Sequence, residues 1–443
     1  MTERRLRSVA ADLLYQDGRF HRGRVLEIAP DGRIAVVSPG TRAELRLDGA
    51  ALLPGFVNAH SHAFQRAIRG RTTGPASAGA DFWGWRDAMY AAANALDDEA
   101  IYEASFAAYR EMAAAGYTAV GEFHYLHRDP DGRAYADPNH LAKRVARAAL
   151  DAGLRIVLLD TAYERAGVDT EGLAVEQRRF GTDGGVAGSI SNVERLAAEW
   201  VGEPLASVGV AAHSVRAVPP ASLRAIAAWS ARAGRDRPVH IHLSEQRAEV
   251  EDCLRAYGCR PVQHAARCGI LGPETTAVHG THVDAEEIAT LAESETRVCV
   301  CPTTEADLGD GLVPASDLAR AGVPLCLGTD SHVRVDPFEE MRRLETHERL
   351  RLERRDALLP ERAGSTLGAA LLDVATREGA ASLRLPAGAL RAGAWADFVA
   401  VDLTHPVLDG WEQETLPDGL ALAADPRVVV GVWVAGRRVW LRR

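Results

Sequence analysis

A chain of 443 residues can bury a large core, and 47% apolar with 25% charged residues is globular composition, which sets aside disordered and fibrous classes. A net charge of −10 and a pI near 5.9 leave no electrostatic footprint for nucleic acid or an anionic membrane surface, so neither is an expected partner. They do not exclude an anionic small molecule, because a few local arginines can override the bulk charge.

Residues 1–50 read as short strands at 8–15, 24–28 and 33–37, with Asp31-Gly32 as a hairpin turn. The apolar run 51–57 leads into Asn58-Ala59-His60-Ser61-His62 and reads as a buried strand. Strand and helix patterns then alternate. Strands are expected at 117–123, 154–160, 207–212, 238–243, 275–279, 297–301 and 323–328. Helices are expected at 138–152, 192–201, 220–233, 246–257, 260–268 and 285–293, and 165–188 is a polar, Gly-rich loop. Counting the strand that ends at His60, this makes eight strand-to-helix units. Near-continuous apolar strands separated by helices mean a parallel sheet, and eight of them over about 300 residues fit an α/β fold of the TIM type, a (β/α)8 barrel. A doubly wound open sheet is the alternative, but no Gly-rich phosphate turn follows the first strand. Strands return at 397–403 and 428–439. The two termini, 1–50 and 380–443, are therefore expected to pair into a small β-sandwich domain beside a barrel spanning 51–379.

No apolar run reaches the roughly 20 residues of a membrane span, and the first residues carry no signal-type apolar region. The six cysteines (253, 259, 268, 299, 301 and 326) form no Cys-x-x-Cys pair, and Cys299 and Cys301 sit in an apolar run as core thiols. A reduced, cytoplasmic protein is expected.

The polar residues of interest fall at the ends of the proposed strands, where barrels of this type place their chemistry. Strand one ends in His60 and His62, whose i, i+2 spacing points both imidazoles the same way. Strand four ends near His213 and Arg216, strand five at His242, Ser244 and Glu245, strand six at His279, and strand eight at Asp330. Each alone has an ordinary structural explanation: a satisfied core histidine, a helix N-cap, a surface arginine. Five such ends together do not. His60, His62, His242 and Asp330 can supply three imidazoles and a carboxylate to a catalytic zinc that keeps a position open for water. The chain's one lysine, Lys143, lies in a helical pattern and cannot bridge two metals from a strand end, so one Zn2+ per chain is expected.

LPGFVNAHSH, HLSE, VHGTH, LGTDS and GAWADFV resemble the metal-dependent amidohydrolase superfamily, in its mononuclear deaminase branch, over nearly the whole chain. More narrowly, HSHAFQRAIRG, DFWGWRDAMY, GEFHYLH and AAHSVRAV are similar to the members that deiminate N-formimino-L-glutamate in histidine degradation. The resemblance implies His60, His62, His242 and Asp330 as metal ligands and Glu245 and His279 as the catalytic pair. It implies Asp330 as the base that takes a proton from water, and Gln65, Arg86, Tyr125, His213 and Arg216 as residues holding a dicarboxylate amidine. A homodimer is what the family suggests. His240, His282 and His332 match no role and are read as packing or support. Two other readings stay open: a sister deaminase acting on a purine or pterin ring, whose pocket would need aromatic stacking and fewer arginines, and a non-catalytic barrel serving as a scaffold, which would have no use for a full ligand set.

Overall fold

The computed structural model describes residues 4–72, 82–234, 236–360 and 365–442. Five strands come first: β1 (Ser8–Gln16), β2 (Arg19–His21), β3 (Arg24–Ile28), β4 (Ile34–Pro39) and β5 (Leu45–Pro54). Eight follow in the middle of the chain: β6 (Phe56–Ser61), β7 (Tyr117–His124), β8 (Arg155–Ala162), β9 (Ala206–Ser214), β10 (Val239–Leu243), β11 (Thr275–His279), β12 (Arg297–Val300) and β13 (Leu325–Leu327). Three more end it: β14 (Phe398–Asp402), β15 (Val429–Val434) and β16 (Arg437–Leu441).

Strands β6 to β13 lie side by side in sequence order, all parallel, with helices between them. The first and last meet: Thr329 N and Asp330 N donate to the His60 carbonyl at 3.1 and 3.0 Å, and His62 N donates to the Asp330 carbonyl at 3.1 Å. The fold is thus the expected (β/α)8 barrel, with the strand ends of the sequence reading gathered at one mouth. The open-sheet alternative is set aside by this closure.

The other eight strands form one sheet in the order β16-β15-β14-β5-β1-β3-β4, with β2 on β1, so both termini build the small β-sandwich. One of its faces packs Leu14, Leu26, Leu52, Phe398 and Trp433, the last two rings stacked at 4.9 Å.

Three local readings change. The run 51–57 is not one barrel strand. Its first half belongs to β5, paired with β1 and β14, and the barrel strand begins at Phe56. Both halves are buried, so hydrophobicity cannot show the break. The switch is at Gly55, where an added Cβ would lie 2.2 Å from the Thr118 side chain. The expected strand 428–439 is a hairpin, β15–β16, turning through Ala435 and Gly436, both at positive φ. The expected loop 165–188 ends early, because a helix starts at Gly185 rather than near 192 and runs Gly185–Glu199.

Barrel and sheet are tied by a buried ion pair. Arg155 on β8 meets Asp397 at 2.9 Å (Nε to Oδ2) and 3.1 Å (Nη2 to Oδ1), each side chain 1% exposed. Asp397 also accepts from Ala435 N at 2.7 Å, and the Arg155 guanidinium lies 4.3 Å from the Trp395 ring. Removing one partner of such a pair strands the other charge. Arg155→Met is expected to cost about 3–5 kcal/mol in urea unfolding, and Arg155→Met combined with Asp397→Leu less than the sum of the two single changes. An additive double variant would show that the pair is not coupled.

Candidate active site

His60 is on β6, and His62 follows its end, opening the short 3-10 helix Ala63–Ile68 that carries Gln65. Tyr125 follows β7, His213 is on β9 with Arg216 just beyond, His242 is on β10 with Glu245 just beyond, and His279 closes β11. Asp330 follows β13, and Arg86 stands on the helix Phe82–Ala95. The chain turns sharply at these ends. Ser244, His279, Asp330 and His332 have φ of 56, 71, 45 and 59°, a left-handed backbone that costs a non-glycine residue about 1–3 kcal/mol each and that clusters at working sites.

At the bottom of the mouth four groups converge. Asp330 Oδ1 is 3.3 Å from both His60 Nε2 and His62 Nε2, and His242 Nε2 is 3.0 Å from His60 Nε2. His62 Nδ1 donates to the Phe123 carbonyl at 2.9 Å, and His242 Nδ1 donates to the His213 carbonyl at 2.8 Å. A carbonyl can only accept, so both imidazoles carry their proton on Nδ1 and turn a bare Nε2 inward. Burial pushes the His60, His62 and His242 pKa values below the ordinary histidine range, which keeps the rings neutral. Lone pairs facing one another in a dry pocket are unfavourable unless a cation sits among them. His60 Nδ1 is buried and has no partner among the described residues. Two ligands each about 2.0–2.1 Å from one tetrahedral ion lie about 3.4 Å apart, so the observed separations suit a divalent metal. His60, His242, His279 and Asp330 each offer a ligand atom within 4.8 Å of the others, and His62 joins them through Asp330.

Above this cluster a cleft is lined by Gln65, Arg86, Tyr125, His213, Arg216, Glu245, His279 and Asp330, together with Trp85, Tyr90, Tyr163 and Phe180. Every site residue expected from the sequence thus reaches the cleft or its floor. Glu245 Oε1 and Asp330 Oδ2 lie 3.8 and 4.0 Å from His279 Nε2. Burial raises the Glu245 pKa, while neighbouring His279 opposes the rise. For His279 burial acts downward, yet the Glu245, Glu305 and Asp330 carboxylates carry its pKa up to about 10. Gln65 Nε2 donates to the Tyr125 hydroxyl at 2.9 Å, leaving Gln65 Oε1 without a partner among the described residues. Arg86 lies 4.3 Å from the Trp83 ring. Arg86 Nε and Arg216 Nη1 are buried donors with no acceptor among the described residues. Two arginines lining one cleft, each with such a donor, suit an anionic ligand.

The histidines given no role divide. His332 joins a polar chain beneath the ligand cluster: Asn58 Nδ2 donates to Thr329 Oγ1 (2.7 Å), which bonds His332 Nδ1 (2.9 Å); His332 Nε2 bonds Ser61 Oγ (3.0 Å), which donates to Glu122 (2.6 Å). His240 is buried against the Ser382 carbonyl, and His282 lines a separate outer cleft. The sequence reading missed Glu305, 3.3 Å from His279 Nδ1, and Glu249, buried near Arg216 and raised by that burial to about 7. The end of strand seven was not searched, and Glu305 lies one helical turn beyond it. The expectation that aromatic rings would separate a ring-binding pocket from a dicarboxylate pocket fails, since this cleft holds both rings and arginines.

The sequence pattern of the amidohydrolase family matches residues 51–439. The chain is 40% identical over 420 residues to a formimidoylglutamate deiminase of Pseudomonas aeruginosa, covering 93% of this chain and 90% of that one. It is 30% identical over 416 residues to a 5-methylthioadenosine/S-adenosylhomocysteine deaminase of Halobacterium salinarum, covering 91% and 85%. Among solved structures it is similar to an amidohydrolase from Brucella melitensis, with a TM-score of 0.88, 33% identity, and 97% and 94% of the two chains covered.

The buried imidazoles set a pH dependence. The folded pKa values of His60, His62 and His242 lie below the unfolded value of about 6.5, so below that pH the unfolded chain takes up protons the fold refuses. The raised His279 acts in a different window, above about 6.5, and does not oppose this. Buried Glu122 and Glu249, raised to about 7, act the other way over the same window, so the rings are isolated by difference. As pH falls from about 6.5 to 5, the metal-free wild type is expected to lose more melting temperature than a metal-free variant combining His60→Asn, His62→Asn and His242→Asn. An equal change in the two would contradict the neutral assignment.

Proposed function

We propose a function from one premise: this chain belongs to the amidohydrolase family. It is a hydrolase of C–N bonds in linear amidines, and it deiminates N-formimino-L-glutamate with water to give N-formyl-L-glutamate and ammonia. The observation that carries this reading is the pairing, in one cleft, of a histidine–carboxylate floor with two arginines, each with a buried donor that lacks an acceptor among the described residues. N-formimino-L-glutamate has an amidine at one end and two carboxylates at the other, which is the complement of that cleft. The 40% identity to the Pseudomonas aeruginosa deiminase supports the same choice, against 30% for the adenosine-type relative.

We assign His60, His62, His242 and Asp330 to hold one divalent ion, zinc being the metal that suits three imidazoles and a carboxylate. When bound, such an ion supplies Lewis acidity that brings the pKa of water down to about 7. Asp330 takes a proton from the attacking water, whose oxygen bonds to the formimino carbon. Glu245, at the mouth and with its pKa raised by burial, gives a proton to the terminal nitrogen. His279, between Glu245 and Asp330, orients the water oxygen and supports its developing charge. Asp330 then passes the proton it took on to the same nitrogen, and the hydroxyl proton returns to Glu245. The terminal C–N bond thereby breaks, ammonia leaves, the carbon keeps the oxygen as a formyl group, and both carboxyls end as they began. Arg86 and Arg216 bind the two carboxylates, and Gln65, Tyr125 and His213 line the space between. The family resemblance also supports a cytoplasmic homodimer working in histidine degradation. The aromatic lining favours one second reading, a purine-type ring as substrate.

Ammonia release separates the two readings: N-formimino-L-glutamate is expected to be turned over and guanine or adenosine left intact, with one metal per chain by elemental analysis. Turnover of the ring alone would overturn the assignment. Glu245→Gln is expected to keep its metal and lose about 10²–10⁴-fold in kcat; loss of the metal would instead make Glu245 a ligand. Arg86→Met and Arg216→Met are each expected to lose about 1.5–3 kcal/mol of binding, roughly 10- to 150-fold in kcat/KM, with the metal retained. Wild type should likewise prefer this substrate to N-formimino-glycine, which has one carboxylate. Met variants as active as wild type would show that neither arginine holds the substrate.

A further inference from the structure

His279 faces the reaction on one side only. Its Nε2 looks toward Glu245 and Asp330, while its Nδ1 looks away from the cleft, into the protein. What lies there is Glu305, 2% exposed, with Oε1 3.3 Å from Nδ1. The carboxylate comes from the helix Pro302–Leu308, which starts where β12 ends and has proline at its first position. The same Oε1 accepts from Cys301 N at 2.9 Å, fixing it against the helix start.

The helix is itself clamped. Thr303 donates to Glu340 through both its backbone N (3.0 Å) and its hydroxyl (2.5 Å). Thr304 Oγ1 lies 3.0 Å from Ser331 Oγ and 3.2 Å from the Thr329 carbonyl, beside Asp330. Three successive side chains therefore fix this helix to the core, to the loop that carries Asp330, and to His279. A buried carboxylate is costly, and capping Cys301 N alone needs only a neutral acceptor. The charge has a use at one place, the imidazole.

We infer that Glu305 is a positioning residue for His279. Its carboxylate accepts the Nδ1 proton, fixes the tautomer and ring plane, and leaves Nε2 aimed at the reacting atoms. The inference rests on the deiminase reading only for what His279 does, since the contact itself is independent of substrate. Carboxylates that orient a working imidazole are worth about 10–100-fold at metal sites.

The test uses Glu305→Gln in the full-length, metal-loaded chain. The amide oxygen still caps Cys301 N, so the helix start is preserved while the charge is lost. Expected for N-formimino-L-glutamate are a kcat lower by about 10–100-fold, a KM little changed, one metal per chain and a melting temperature near wild type. Added to His279→Asn, Glu305→Gln should cost little more, because its effect runs through the ring that is gone. Independently of substrate, chains labelled with 15N-histidine should show a downfield Nδ1 proton that disappears in His279→Asn and moves upfield in Glu305→Gln. Glu305→Asp, which keeps the charge, should retain more activity than Glu305→Gln. An unmoved resonance, or losses that multiply in the double variant, would overturn the inference. A wild type inert toward N-formimino-L-glutamate would instead defeat the deiminase reading, and the resonance would still decide the role of Glu305.

Discussion

Everything in this molecule depends on the seam where the first barrel strand meets the eighth. Three backbone hydrogen bonds join His60 and His62 to Thr329 and Asp330. Beneath them the side-chain chain from Asn58 through Thr329, His332 and Ser61 to Glu122 runs in one direction, each group able to donate once and accept once. The partners are 271 residues apart in sequence. Closing a loop of that length costs chain entropy that only a well-satisfied, buried junction offsets. The junction also sets the chemistry. It places a carboxylate against two imidazoles, one of them held by the Phe123 carbonyl, and so makes the cation site out of the act of closing the barrel.

The same seam explains why the site is unfavourable when considered as plain protein. Neutral imidazoles face one another, carboxylates crowd His279, and four residues adopt left-handed backbone at the strand ends. Such costs are tolerated when a bound ion and substrate return them, and the surrounding structure is correspondingly over-determined. The Arg155–Asp397 pair performs the matching task at the other end of the barrel, holding the sheet from both termini against β8. The barrel is therefore pinned at one end by a buried hydrogen-bonded chain and at the other by a buried ion pair.

Much of this was legible in the sequence because the barrel repeats one rule: an apolar strand, a polar residue at its end, then a helix. The strand Thr275–His279 and the helix Ala285–Glu293 fall where that rule places them. The departures have physical causes. At Gly55 the chain leaves one buried sheet for another without any change in hydrophobicity. The helix Pro337–Leu352 hides its inward face because Glu340, Glu345 and Glu348 are fully buried there, satisfied by Thr303, by the backbone of Ala357 and Leu358, and by Ser316. Acids on the core side erase the apolar period that would mark a helix. Glu305 was invisible for a related reason: it acts from a helix one turn past its strand, not from the strand end. His332 had no visible role because its partners come from opposite ends of the barrel sequence, Ser61 at the end of β6 and Thr329 just past β13.

The central claim is that one cleft holds a dicarboxylate by two arginines while presenting the other end of the molecule to the histidine–aspartate floor. The most direct measurement is a crystal structure of the metal-loaded chain with N-formyl-L-glutamate, the proposed product. The account predicts both carboxylates within about 3 Å of donors on Arg86 and Arg216, with the formyl group beside Asp330, Glu245 and His279. A product bound outside the cleft, or turned so that a carboxylate meets the histidines and the formyl group meets the arginines, would contradict it.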